Sequence, residues 1–490
     1  MANPYLEGNY APVVRELTED HPLPVDGVIP PDLDGRLVRN GPNPAALPAD
    51  PDDYHWFTGD GMLHAVDLRD GQAVGYRNRW VRARKLADEL GTESPRGPAE
   101  PVDGPANTHV IRHAGRLLAL CESGFAHAVS ADLTRARVHD FDAMLTSPMT
   151  AHPKVDPDSG ELLFFGYDVF GPPFLRSHVA DRTGTLVRSE EIDLPRAVMM
   201  HDFGVTTTRL VLLDLPVVFD LDLVVGGRSM PFRWDPSAGA RVGVLGRDQV
   251  GADVRWFTLE PCFAFHVMNA FDDGDRVVID VVRYQRAFDT PPGGLISSIP
   301  PALFRWTIDP AAGTLSETAL DDLPIEFPRI DDTLAGRPYR YGYATILDPG
   351  PAERGTVSLD VESPTAGSGA GGSGAGGSGT GGTGGPGATA AGGPAWAQSG
   401  LVKYDLARQR TERFDPGQHR FVSEPVFVRA ADGAADDEGW VLATVYDRTT
   451  DTSDVVILDA TSFSGPPVAT IHLPARIPFG FHGSWLPSSV

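Results

Sequence analysis

The sequence predicts an all-β fold, and within that class a β-propeller. Two observations carry this. From about residue 107 onward, short β-branched or aromatic runs alternate with Asp…Gly turns, which is the pattern of repeated hairpins. The chain also runs to 490 residues with sparse helical signals, and radial repetition lets one ring absorb several hundred residues without splitting into domains. A sandwich or barrel is the competing arrangement. Length and hairpin count favour the propeller, since no strict repeat motif is present. Residues 1–490 are therefore expected to form a single domain.

Taken in order, the first stretch carries turn chemistry, Pro22–Gly27 and then Pro30–Gly35, and reads as loop. Arg36–Pro44 follows as a short strand running into a tight turn. In Trp56–His64, glycines and Asp60 mark a sharp turn whose aspartate is placed to accept from backbone amides. Arg82–Leu90 reads as a short helix or surface excursion. Hairpins are expected around Asp156–Gly160, Asp181–Gly184 and Asp309–Gly313, while Pro291–Leu295 reads as loop. Thr365–Gly393 is nearly all Gly, Ser, Ala and Thr, a composition that behaves as flexible coil. It lies between the strand-like runs Thr356–Leu359 and Leu401–Tyr404. Residues 362–400 are therefore read as a flexible loop insertion within the domain, since lengthening a surface loop costs little.

Composition narrows the function. The chain is 41% apolar and 22% charged, with a formal net charge of −25. A field of that sign repels phosphate and argues against a nucleic-acid partner and against docking on an anionic membrane. Only two cysteines, Cys121 and Cys262, are present, so no disulfide framework is implied and a reducing, cytoplasmic location fits. No signal peptide or transmembrane run is visible. The most apolar stretch, Val211–Val225, is interrupted by Asp214, Asp220 and Asp222. Its mild apolar character raises a weak peripheral membrane contact, with core burial as the plainer explanation.

Four histidines sit in unusual settings. His201, His266 and His482 lie in or beside apolar runs, and His152 precedes a strand. Glycines flank Phe481-His482 at a chain end, where order needs a cause. A buried imidazole is costly unless its nitrogens find partners. One reading is four satisfied core histidines; the other is a metal site. The wide spacing excludes a local zinc-finger or His-Glu-x-x-His motif, so ligands this scattered converge only around a common axis. Imidazoles suit Zn, Cu, Fe or Ni alike. The other ten histidines, among them His21, His139 and His419, read as surface residues. Glu122, Glu326 and Glu424 stand in apolar surroundings and suit carboxylates that accept from the free N–H of a ligating imidazole. Buried salt bridges are the alternative for each.

These contexts, together with Asn3–Leu6, Arg39–Pro44, Phe57–Met62, Glu326–Arg329, Ser423–Pro425 and Gly480–Gly483, resemble the carotenoid cleavage oxygenase family across nearly the whole chain. The glycine-rich insertion is not part of that pattern. The resemblance implies a seven-bladed propeller with Fe(II) on its axis, bound by His152, His201, His266 and His482. It implies that Glu122, Glu326 and Glu424 orient three of them, under a dome of loops that encloses an apolar tunnel. The implied reaction inserts O2 across a double bond of an apolar conjugated substrate, giving two carbonyl products. Family members that cleave stilbenes carry a lysine at the position of Cys121. Its replacement here favours a carotenoid or apocarotenoid over a phenolic stilbene. Isomerase chemistry on the same site, or a pure binding module, are the further alternatives. Oligomeric state has no sequence signature here.

Overall fold

Asp…Gly turns close the hairpins by the chemistry expected of them. Asp156 Oδ1 accepts from the backbone N–H groups of Asp158 and Ser159, both at 2.9 Å, and Gly160 takes φ +71°. Asp181 Oδ1 accepts from Thr183 and Thr185 at 2.9 and 3.1 Å, with Gly184 at φ +85°. The computed structural model describes residues 3–97, 103–289, 297, 299–349, 396–430 and 435–488. In it these hairpins build the seven antiparallel sheets of a β-propeller.

Blade one comprises His109–His113, Arg116–Leu120, Ala126–Val129 and Ala136–His139. Blade two comprises Lys154–Val155, Leu162–Tyr167, Leu175–Ala180 and Leu186–Ile192. Blade three uses Gly204–Val205, Arg209–Asp214, Ala240–Gly246 and Arg255–Leu259. Blade four uses Phe263–Asp273, Arg276–Tyr284, Ala302–Asp309 and Thr314–Ala319. Blade five uses Ile325–Arg329, Tyr341–Pro349, Trp396–Asp405 and Arg410–Phe414. In blade six, Arg420–Val422 and Val426–Arg429 both pair with Gly439–Asp447, followed by Thr452–Asp459 and Ala469–His472. Blade seven begins with Gly483–Pro487, the last strand of the chain, and continues through Gly35–Pro42, Gly61–Arg69, Gln72–Trp80 and Leu17–Glu19.

Side-chain alternation packs blade on blade. In Leu162–Tyr167 every residue is buried, and the two faces divide between neighbours. Leu162 and Phe164 pack with Ile111, Leu118 and Leu120 of blade one, while Leu163, Phe165 and Tyr167 pack with Leu210 and Leu212 of blade three. Outer strands face water: Thr314–Ala319 is mostly exposed and polar, which protects an unpaired edge from further pairing.

The ring closes twice. Arg39 pairs with Gly483 and Gly35 with Pro487, joining the two ends of the chain inside blade seven. Val25–Gly27, which reads as loop in the sequence, is instead a strand on the outer edge of blade six, with Val25 opposite Ile471. Three residues are too few to show a strand period, so only the tertiary pairing reveals it. The apolar stretch before residue 225 divides. Leu212, Leu213, Leu215 and Val217 are core, but the short helix Leu221–Val225 is exposed, Val225 to 81%. Arg82–Leu90 contains the helix Arg84–Glu89. Thr356–Leu359, Pro291–Leu295 and Thr365–Gly393 lie outside the described residues. The strand after the insertion begins at Trp396, earlier than the sequence reading placed it, and Trp396 is opposite Pro349 in one antiparallel pair. Among the described residues, no helix is long and apolar enough to cross a membrane.

Glycine is required where the closing segment crosses the end of the strand Gly35–Pro42. A Cβ on Gly41 would stand 2.6 Å from Gly480 Cα. Gly41→Ala is expected to lower stability by about 1–3 kcal/mol through overpacking, read as a lower urea midpoint; an unchanged midpoint would show that the crossing has room to relax.

Candidate metal centre

Each of the four histidines sits at the start of a blade's first strand. His152 precedes Lys154–Val155 of blade two, His201 precedes Gly204–Val205 of blade three, and His482 precedes Gly483–Pro487 of blade seven. His266 lies within Phe263–Asp273 of blade four, where pairing with the next strand shifts register between Ala264 and Val267. Such a bulge re-aims a side chain out of the regular alternation. One ring nitrogen from each histidine lies within 4.8 Å of the others, and three of the four residues are buried. His152 Nε2 is 3.0 Å from His201 Nε2, and His266 Nε2 is 3.2 Å from His482 Nε2.

The remaining three blades supply the carboxylates. Glu122 follows the second strand of blade one, Glu326 lies in the first strand of blade five, and Glu424 sits between the two first segments of blade six. Glu122 Oε2 is 2.6 Å from His201 Nδ1, Glu326 Oε2 is 2.5 Å from His266 Nδ1, and Glu424 Oε1 is 2.8 Å from His482 Nδ1. Each carboxylate is itself held. Tyr284 Oη donates to Glu326 Oε1 at 2.7 Å, and the Phe327 N–H donates to Oε2 at 2.7 Å. Glu424 Oε2 accepts from the Gly483 N–H at 2.8 Å and faces Arg329 at 3.2 Å, so for this one residue the salt-bridge reading also holds. Tyr167 is bonded to Glu122. Burial, then the adjacent carboxylate, raises both tyrosines well above their usual pKa, so they remain donors. A register shift between Glu326 and Arg329 leaves Phe327 at φ +54°, an uncommon backbone for a bulky residue.

With Nδ1 of His266 and of His482 engaged by carboxylates, both rings direct Nε2 at one point, and in the neutral, metal-ligating form their two lone pairs would face each other there. That arrangement is repulsive unless a cation lies between them. Two nitrogens each about 2.1 Å from a common ion stand about 3 Å apart when the angle between them is near a right angle. The donor set therefore fits a transition-metal cation. Burial, then the neighbouring imidazoles, pushes His152 and His482 well below the ordinary histidine pKa, so both are neutral at pH 7. Burial acts the same way on His266, but Glu326, with Asp202 and Glu424 behind it, outweighs it and raises that pKa.

A cavity of about 710 Å3 opens onto the cluster, lined near it by Phe57, Met199, Phe265, Phe327 and Phe481. Farther out, Phe170, Phe219 and Val224 lead toward the exposed helix Leu221–Val225. The helix Arg84–Glu89 contributes Lys85 and Leu86, and Cys121 and Asp60 also line the space. Asp60 Oδ2 accepts from the Ala45 N–H at 3.0 Å, the turn role its context suggests. Met200 and Met268 belong to the packed core instead. Both cysteines are free and buried.

The remaining histidines do not all lie on the surface. His21 and His419 are exposed, but His55, His64, His113, His127 and His178 are buried. Alternating strand faces hide the last four, and partners satisfy most: His64 Nδ1 meets Tyr76 Oη at 2.8 Å, and His178 lies between the hydroxyls of Ser147 and Ser189 at 2.9 and 2.8 Å. Sequence reasoning also missed Asp202, which is 2% exposed. It accepts from Lys154 Nζ at 2.8 Å and from the Val267 N–H at 2.9 Å, tying together the backbone beside His152, His201 and His266. A carboxylate between His201 and Phe203 in an apolar run was the available signal. Tyr284, far along the chain, carried none.

The profile of the retinal pigment epithelial membrane protein family matches residues 10–487. A "Carotenoid cleavage oxygenase" of Mycobacterium tuberculosis is 35% identical, covering 99% of this chain and 98% of its own. A "Carotenoid 9,10(9',10')-cleavage dioxygenase" of Crocus sativus is 33% identical over 98% of this chain and 88% of its own. Among solved structures, the lignostilbene dioxygenase of Pseudomonas brassicacearum superposes with a TM-score of 0.83 at 28% identity, covering 99% of this chain and 98% of that one.

Asp202→Ala strands the Lys154 ammonium and the buried N–H groups of Val267 and Phe203, and is expected to cost about 3–5 kcal/mol in denaturant unfolding of the metal-free protein. Tyr284→Phe keeps the ring and removes one donor to Glu326. It is expected to cost only about 0.5–1.5 kcal/mol of stability, while metal affinity falls by about 10-fold or more in a competitive chelator titration. Affinity equal to the parent's would show that Glu326 keeps its orientation without the phenol.

Proposed function

The chain belongs to the carotenoid cleavage oxygenase family, and from that premise we propose that it is a non-haem Fe(II)-dependent dioxygenase. Its substrate is a carotenoid or apocarotenoid, and cleavage of one conjugated double bond with O2 gives two aldehyde or ketone products. The observation that carries this reading is the convergence of His152, His201, His266 and His482 at the floor of an apolar cavity, three of them backed by carboxylates. Bound there, iron supplies the activation of O2. The chain's own residues do the rest. Glu122, Glu326 and Glu424 hold three imidazoles with Nε2 forward. Phe57, Phe265, Phe327 and Phe481 exclude water and present flat apolar faces to a polyene.

Cys121 supports a polyene over a phenol. Its thiol lines the cavity beside Ser123 Oγ at 3.0 Å, and burial raises its pKa, so it stays neutral and offers no cation to a phenolate. One observation favours the second reading, a phenolic stilbene: Lys85 lines the same cavity and would hold such an oxygen. Isomerase-type chemistry would use the same imidazoles. The exposed Leu221, Val225 and Phe170 beside the cavity mouth suit a weak peripheral contact with a membrane that stores the substrate. A net charge of −25 disfavours anionic lipid. The unpaired cysteines support a cytoplasmic location. Residues 362–400 are read as an insertion in a single domain, their last five joining the strand Trp396–Asp405, because the strands on either side pair within blade five.

Anaerobic reconstitution is expected to load about one iron per chain, as a single four-imidazole site requires, with His201→Ala lowering turnover by more than about 100-fold. Incubation with a panel of apocarotenals and hydroxystilbenes, followed by identification of the aldehydes, tests the substrate. Cleavage of stilbenes alone would replace the polyene reading. Altered polyene geometry without O2 uptake would replace the oxygenase reading.

A further inference from the structure

His152 differs from the other three histidines: among the described residues, no carboxylate meets its Nδ1. Its backbone is held instead. The His152 N–H donates to Thr150 Oγ1 at 3.0 Å, and the carbonyl of Ala151, the preceding residue, faces His109 Nδ1 at 3.0 Å. His109 opens the first strand of blade one, and its ring centroid lies 5.2 Å from that of His482 and 6.1 Å from that of His152. Its own carbonyl accepts from Asn40 Nδ2 at 3.0 Å, and the Asn40 N–H donates to the carbonyl of His482 at 2.9 Å. The residue before it, Thr108, accepts from the His482 N–H at 3.1 Å. His109 thus stands where two ligand-bearing segments meet blade one.

The chemistry of the ring is unusual for a packing residue. Donation to a carbonyl requires the proton on Nδ1, so in the neutral ring Nε2 carries the lone pair. That nitrogen is buried and, among the described residues, has no hydrogen-bond partner. A buried acceptor left unpaired lowers stability, and a phenyl ring would fill the space without that penalty. An imidazole here is therefore explained by its Nδ1–H, which a phenyl ring lacks.

We propose that His109 is the positioning residue of the fourth ligand: through Nδ1–H···O=C it fixes the Ala151–His152 peptide, and so the imidazole of His152, in place of a carboxylate. This rests on the reading of the four histidines as a metal site, and the test separates the two. Co(II) is titrated into the metal-free full-length protein, with affinity and visible spectrum recorded and the metal-free melting temperature measured alongside. Failure of the parent protein to bind Co(II) would sink the metal site itself. Given binding by the parent, His109→Phe is expected to weaken it about 10- to 100-fold and to change the spectrum. His109→Asn, whose amide nitrogen occupies the place of Nδ1, is expected to restore both. Parent-like affinity and spectrum in His109→Phe overturns the proposal. So does an equal loss in both variants that follows a matching fall in melting temperature. Should His109→Phe not fold, His109→Gln replaces it, since its amide lies one bond too far to reach the Ala151 carbonyl. Equal binding in His109→Gln and His109→Asn would then overturn the proposal.

Discussion

Four imidazole nitrogens are brought to one point on the ring axis with their lone pairs facing inward, and the rest of the molecule is arranged to keep them there. Lone pairs on Nε2 atoms 3.0 and 3.2 Å apart repel one another unless a cation lies between them. The opposing Nδ1 bonds to Glu122, Glu326 and Glu424 leave at least three of those nitrogens no other way to face. All seven blades contribute one group each: imidazoles from blades two, three, four and seven, carboxylates from blades one, five and six. A propeller is the fold in which that is geometrically simple, because each blade begins on the axis.

The closure of the ring and the site are consequently one structure. His482 belongs to the segment that leads into the closing strand, and its N–H and carbonyl bond to Thr108 and Asn40 on the opposite side of the seam. The tight crossing of Gly41 and Gly480 sets how deeply this segment can enter. Any change that loosens the seam therefore displaces a nitrogen at the centre. Where a regular strand would aim a side chain wrongly, the backbone departs from regularity: bulges occur at His266 and beside Glu326.

Most of this was legible in the chain before any coordinates. Asp…Gly turns gave the hairpins; apolar contexts around His201, His266 and His482, and the strand following His152, separated them from His21 and His419. The resemblance supplied the blade count and the pairing of carboxylates with histidines. What escaped was set by tertiary contact alone. Val25–Gly27 has no strand period of its own. His64 and His178 look polar in sequence, yet fall on inward faces with hydroxyl partners. His109 sits at a polar strand start and becomes informative only when the Ala151 carbonyl is seen against it. Leu221–Val225 joins a core strand in sequence but turns outward after Asp220 caps the helix.

The supports of the carboxylates point to a division of labour among the imidazoles. Glu326 is held by a phenol and a backbone amide, and Glu122 by a phenol; neutral donors such as these orient a carboxylate without cancelling its charge. Glu424 instead faces the Arg329 guanidinium, with Arg39 also acting on it. The two rings differ: at His266 Glu326 outweighs burial and the pKa rises, whereas burial, then His266 and His201, and after them Arg329 and Arg39 lower that of His482. A ring whose Nδ1–H faces a fully charged acceptor is the more electron-rich donor at Nε2. Glu424, paired with Arg329 and accepting from the Gly483 N–H, also ties down the strand that closes the ring. One glutamate thus both orients an imidazole and fastens the strand on which closure of the ring depends.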